Sequence, residues 1–85
     1  MQKTEEVLQI KAYPNPSENF FTMIVNSNSN EMLEIKVYDI SGRQVTSMKK
    51  RAGESIRFGE QLSIGTYVAE VIQGDKRKTI KLVKQ

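Results

Sequence analysis

The sequence predicts an all-β fold, a seven-stranded antiparallel sandwich of immunoglobulin-like type, on three observations. Apolar residues recur at every second position over short runs, the pattern of half-buried antiparallel strands. Gly, Asn, Ser or Pro separate the runs, at spacings of roughly ten residues. No stretch carries the three- and four-residue apolar spacing of an amphipathic helix. Short alternating strands of this number close most readily into two packed sheets. The Cys and Trp signals of true immunoglobulin domains are missing, so the pattern leaves the strand order open.

The first strand is expected over residues 7–13, with Leu8, Ile10 and Ala12 on one face, ended by Pro14-Asn15-Pro16, where two prolines remove donors and fix φ. The second, 20–26, turns Phe21, Met23 and Val25 inward before the polar loop Ser27-Asn28-Ser29-Asn30. In the third, 32–39, Leu33, Ile35 and Val37 oppose Glu34, Lys36 and Tyr38, so a register slip of one residue would bury two charges. Ile40-Ser41-Gly42 forms a tight connection into a fourth strand over 43–48, with Gly42 supplying a positive φ. Asp39 is expected to accept backbone N–H groups across that turn.

Lys49 to Gly53 reads as a charged loop, followed by a short strand over Ser55–Phe58 with Ile56 and Phe58 inward. Leu62-Ser63-Ile64-Gly65 is a turn into the sixth strand, 66–73, whose two faces are both partly apolar, as a central strand requires. Tyr38 and Tyr67 are expected to pack in the core with their hydroxyls at the rim. Gly74-Asp75 makes the last hairpin, and Lys76–Lys84 is the final strand with Ile80 and Leu82 inward.

At 85 residues the chain makes one domain, since a domain of this size buries only roughly 60% of the surface its unfolded chain exposes and leaves little for a deep pocket. Residues 1–6 read as a flexible linker or expression remnant and residues 7–85 as the domain. Histidine and cysteine are absent, which removes thiolate nucleophiles, the usual zinc ligands and the side chain best suited to proton transfer near neutral pH. No enzyme activity, cofactor or metal is expected. The net charge of +3, from 13 basic and 10 acidic residues, is too slight to imply nucleic-acid binding. No apolar run is long enough to insert in a membrane.

Charge placement is more informative than net charge. Lys76, Arg77, Lys78, Lys81 and Lys84 put five of the 13 basic residues on the last strand. Lysines on an edge strand commonly prevent edge-to-edge association. An exposed basic strand also serves as a docking feature, for an acidic protein surface or by strand addition. An open edge further allows a homodimer by edge pairing or strand exchange.

Four motifs follow one another along the chain: Ala12-Tyr13-Pro14-Asn15-Pro16, then Ile35-Lys36-Val37-Tyr38-Asp39-Ile40-Ser41-Gly42-Arg43, then Leu62-Ser63-Ile64-Gly65-Thr66-Tyr67, then Lys81-Leu82-Val83-Lys84. In this order they resemble the type A C-terminal sorting domain, or Por secretion tail, of the Bacteroidetes type IX secretion system. The departures are Val37, where the family commonly has isoleucine, and Gln85 after the final lysine.

The resemblance implies a domain that addresses an attached N-terminal cargo for export. The cargo carries the signal peptide, crosses the periplasm, and reaches the cell surface or medium through the outer-membrane translocon. A sortase-like peptidase then removes the domain, in the linker near residues 5–9, and joins much of the cargo to an anionic lipopolysaccharide. By position, the resemblance assigns translocon recognition to Gly65, Tyr67, Lys81, Leu82, Val83 and Lys84. It assigns structural roles to Pro14, Asn15, Pro16, Tyr38, Asp39, Gly42 and Arg43. On this reading the chain is the terminal piece of a longer protein and a substrate rather than a catalyst.

Two further readings compete. A carbohydrate- or protein-binding accessory module of an extracellular enzyme would usually display coplanar exposed aromatics, whereas this chain has no Trp and only three Tyr and three Phe. A spacer domain would leave the basic last strand without a purpose.

Overall fold

The computed structural model describes residues 7–85, so the linker expected over residues 1–6 and the first two residues of the expected cleavage stretch, 5 and 6, lie outside the described residues, while Leu8 and Gln9 of that stretch belong to the first strand. The described residues form seven strands: β1 (Leu8–Tyr13), β2 (Phe21–Ser27), β3 (Leu33–Asp39), β4 (Gln44–Lys50), β5 (Ser55–Phe58), β6 (Gly65–Gln73) and β7 (Lys76–Lys84). They form a three-stranded sheet in the order β1-β2-β5 and a four-stranded sheet in the order β4-β3-β6-β7. Every pairing between strands is antiparallel. The predicted sandwich is therefore the observed one.

Strand limits in β1, β2, β3, β4 and β6 shift by one or two residues from the sequence reading, and two of these shifts change an element's assignment. Lys49 and Lys50, expected in a loop, extend β4, because Glu34 and Leu33 of β3 lie opposite them and continue the ladder. Gly65, expected in the turn, is the first residue of β6, paired with Lys84. One residue of β4 is accommodated by a register shift between Val37 and Tyr38, next to the Asp39 turn.

Alternation explains the core. Phe21, Met23 and Val25 of β2, with Ile56 and Phe58 of β5, face Leu33, Ile35 and Val37 of β3 and Tyr67, Ala69 and Val71 of β6, all buried. The Phe21 and Phe58 rings lie 5.7 Å apart in a tilted pair, a favoured aromatic geometry. β6, predicted central, lies between β3 and β7.

The sandwich has two poles. At one, Gln73 is fully buried: its Nε2 donates to the Glu31 carbonyl at 2.8 Å and to the Ser29 carbonyl at 3.3 Å, while the Ser27 hydroxyl donates to its Oε1. This one side chain ties the β2–β3 loop to β6. β1 starts at that pole and ends at the other, where the candidate site lies.

Candidate functional site

The register brings all four motifs to one pole. Asp39 lies opposite Tyr67, which lies opposite Leu82, so three motifs share one row across β3, β6 and β7. Gly65 lies opposite Lys84, and Ser17, just after the proline motif, makes a parallel bridge with Lys84. Residues separated by most of the chain length are thus neighbours here.

The proline motif holds the outer edge of β7. Both Tyr13-Pro14 and Asn15-Pro16 are cis peptides, and the chain leaves β1 in one sheet to reach β7 in the other. Asn15 Nδ2 donates to the Lys81 carbonyl at 2.8 Å, and the Val83 N–H donates to Asn15 Oδ1 at 3.0 Å. One amide side chain therefore does what a paired backbone would do. Ser17 continues the contact: its N–H donates to the Val83 carbonyl at 2.9 Å and its carbonyl accepts from the Gln85 N–H at 2.8 Å. The Ser17 hydroxyl, buried, donates to the Phe20 carbonyl and accepts from the Asn19 N–H.

Lys84 departs from the expectation of an exposed basic strand. It is only 5% exposed, and its Nζ donates to the carbonyls of Asn19 and Gly59. Alternation is the cause: Leu82 and Lys84 point inward while Lys81 points out. Gly59 permits the arrangement. Its φ is +95°, and a Cβ there would meet Phe21 Cδ2 at 2.9 Å. Beside it, the Arg57 guanidinium lies 3.6 Å over the Phe20 ring and pairs with Glu60 at 3.5 Å.

Tyr67 and Asp39 are also builders of the pole. Tyr67 is buried, and its hydroxyl donates to the Ser63 carbonyl at 2.7 Å, a tyrosine corner at the start of β6. Asp39 Oδ1 accepts from the Ser41 N–H and the Arg43 N–H, each at 3.0 Å, and from the Ser41 hydroxyl at 2.6 Å. Arg43 Nε lies 3.3 Å from Asp39 Oδ2. The Ser41 hydroxyl, then the Arg43 N–H, hold the Asp39 carboxyl below its ordinary pKa, because both bonds favour the charged form. Gly42 closes the turn with φ +88°.

What remains outward is a smaller set. Lys81 is exposed and Val83, Gly65 and Tyr38 are half-buried. Tyr38, expected in the core, instead lies opposite Val68, which lies opposite Lys81, on the outer face of the four-stranded sheet, because alternation in β3 gives the inward positions to Leu33, Ile35 and Val37. Around them Ile40 and Ile64 are 88% and 81% exposed. Farther down the same face, Lys36 pairs with Glu34 and Arg77 with Glu70, so the apolar character belongs to the motif pole. Among the described residues no group of acidic side chains could hold a metal ion.

Sequence reasoning overlooked Ser17, Asn19, Gly59 and Gln73. Three of these act through backbone groups, which residue type does not reveal. The buried Gln73 carried one signal, an inward position by alternation at the end of an apolar run.

Residues 11–85 match the family described as secretion system C-terminal sorting domain. No curated protein matches the chain. Among solved structures it is similar to dimeric latent PorU from Porphyromonas gingivalis, with a TM-score of 0.60 and 23% identity, over 98% of this chain. The match spans 10% of the PorU chain, and at that identity the likeness is one of fold.

Proposed function

Because the chain belongs to the family of type IX secretion C-terminal sorting domains, we propose that the pole where its four motifs meet is the surface by which the outer-membrane translocon recognises it. The sorting role makes the protein one that is exported to the cell surface or beyond. The finer reading is that the domain crosses the periplasm folded, with its cargo joined ahead of β1, and that a sortase-like peptidase removes it afterwards. The domain is a substrate of this chemistry and supplies none of it.

The convergence of the four motifs at the pole opposite the start of β1 carries this reading. Cargo attached before β1 would leave the motif pole uncovered. Within the pole the roles divide: Tyr67, Leu82 and Lys84 are buried and hold the surface in place, while Lys81, Val83 and Gly65 are the members a partner can touch.

The test is export of a fluorescent cargo fused ahead of this domain, behind a signal peptide, in a type IX-competent bacterium. The fusion should reach the surface, and removal of residues 81–85 should strand it in the periplasm. An intact fusion that never leaves the periplasm would overturn the reading.

A further inference from the structure

β1 and β7 run side by side in the same direction, each the edge of its own sheet, with no hydrogen bonds between them. Between them lies an open cleft of about 420 Å³, lined by residues 9–11 of β1 and 78–80 of β7. Its apolar lining comes from Ile10 and Ile80, both half-buried and packed against the core. Lys11 and Lys78 line it directly, with Lys76 at one end and Lys81 at the other. None of these four lysines takes part in an ion pair among the described residues.

The β7 edge is half used. Along an edge strand, alternate residues turn both backbone groups away from the neighbouring strand. The bonds at the Lys81 carbonyl and at both groups of Val83 show that the odd-numbered residues face outward here. Asn15 and Ser17 fill the upper part of that edge. The N–H and C=O groups of Arg77 and Thr79 and the N–H of Lys81 continue it with no partner among the described residues.

We propose that the lower β7 edge, from Arg77 to Lys81, receives an extended acidic peptide segment of a partner protein by strand addition, alongside the β1–β7 cleft. The backbone groups supply the ladder, Ile10 and Ile80 the apolar contact for alternate side chains, and the unpaired lysines the charge complement. A polyanionic sugar is the poorer fit, because it offers no strand to pair with the edge and no aromatic ring lines the cleft. Lysines at an edge deter a second copy of this chain, whose edge is equally basic, and attract an acidic strand for the same electrostatic reason. The site shares Lys81 with the motif pole, but its cleft and the backbone groups of Arg77 and Thr79 lie outside the four motifs, so amide shifts at Arg77 and Thr79 test it independently of the recognition proposed there.

The probe is a blocked heptapeptide of alternating Glu and Val, titrated into the full chain and followed by amide NMR. Shifts should concentrate at Arg77, Thr79 and Lys81, and exchange of the Thr79 and Lys81 amides should slow. Methylating the peptide nitrogens that face β7, which deletes two donors, should weaken binding about tenfold or more. The Lys11→Glu, Lys78→Glu double variant should weaken it at least as much. Thr79→Pro, whose lost N–H faces away from β6, should block binding; if that variant fails to fold, the methylated peptide against the unaltered chain decides the point. No binding, or equal binding of the methylated peptide or of heparin at the same residues, would overturn the proposal.

Discussion

Replacing Lys84 by methionine should destabilise the domain by about 2–3 kcal/mol. The substitution keeps an unbranched apolar stem and deletes the ammonium, which is buried and donates to two main-chain carbonyls. The Gly59 carbonyl still accepts the Leu62 N–H at 3.1 Å, so its loss is partial, whereas Asn19 loses its donor. Hydrogen bonds from a charged group contribute about 1.5–3 kcal/mol each. Two of them would make about 3–6 kcal/mol, less the relief of no longer desolvating an ammonium, which brings the net near the lower end.

An 85-residue domain at about 0.05–0.15 kcal/mol per residue has roughly 4–13 kcal/mol in all, so the loss is a large share. With a urea m-value of about 1 kcal/mol/M for so small a protein, the unfolding midpoint should fall by roughly 2–3 M at unchanged m. The exposed Lys81→Met, as control, should stay within about 0.5 kcal/mol of the parent. A Lys84→Met variant as stable as the parent, or more so, would mean that desolvation outweighs the carbonyl contacts. The account of Lys84 as the clamp of the pole would then be wrong.

Three further outcomes follow from the same geometry. Asn15→Ala should cost about 1–2 kcal/mol and speed hydrogen exchange at the Val83 amide, which loses its acceptor, ahead of the Leu82 amide. Gly59→Ala should cost roughly 2 kcal/mol or more by thermal denaturation, from a side chain at φ +95° and a 2.9 Å approach to Phe21. Asp39 has a depressed folded-state pKa, so its contribution is present above the unfolded value and is lost as pH falls through the folded one. Below about pH 4 the parent should lose stability more steeply than Asp39→Asn, as urea unfolding at stepped pH would show.

Strand positions were legible because alternation reports burial directly: Leu33, Ile35 and Val37 read as inward and are fully buried. Turn chemistry was equally transparent at Asp39, whose short carboxylate can reach only its own turn. What stayed hidden depended on the path of the chain between sheets. Alternation alone already put Lys84 on the same face as Leu82, yet a lysine beside the last residue reads as solvated. Only the placement of the Asn19 and Gly59 carbonyls makes an inward ammonium tolerable. The proline motif shows the same limit. Two prolines announce a bend, but not that Asn15 between them would stand in for a strand on the edge of β7.

This division changes how a loss of export should be interpreted. Removing residues 81–85 deletes an exposed cation, a buried leucine and the buried clamp at once, so it disturbs the surface and the fold together. Point variants separate them. Lys81→Glu reverses charge on the outer face without touching the core, and should lower cargo export while the purified domain unfolds at the parent's urea midpoint. Lys84→Met should lower export through instability, and growth at a lower temperature, where the variant domain stays folded, should restore it. Export readings at two temperatures beside urea midpoints decide between the roles. If Lys81→Glu exports normally while Lys84→Met fails at both temperatures, the lysine that is recognised is the buried one. The terminal strand would then have to leave the sheet to be read, and recognition of a folded pole would be the wrong mechanism.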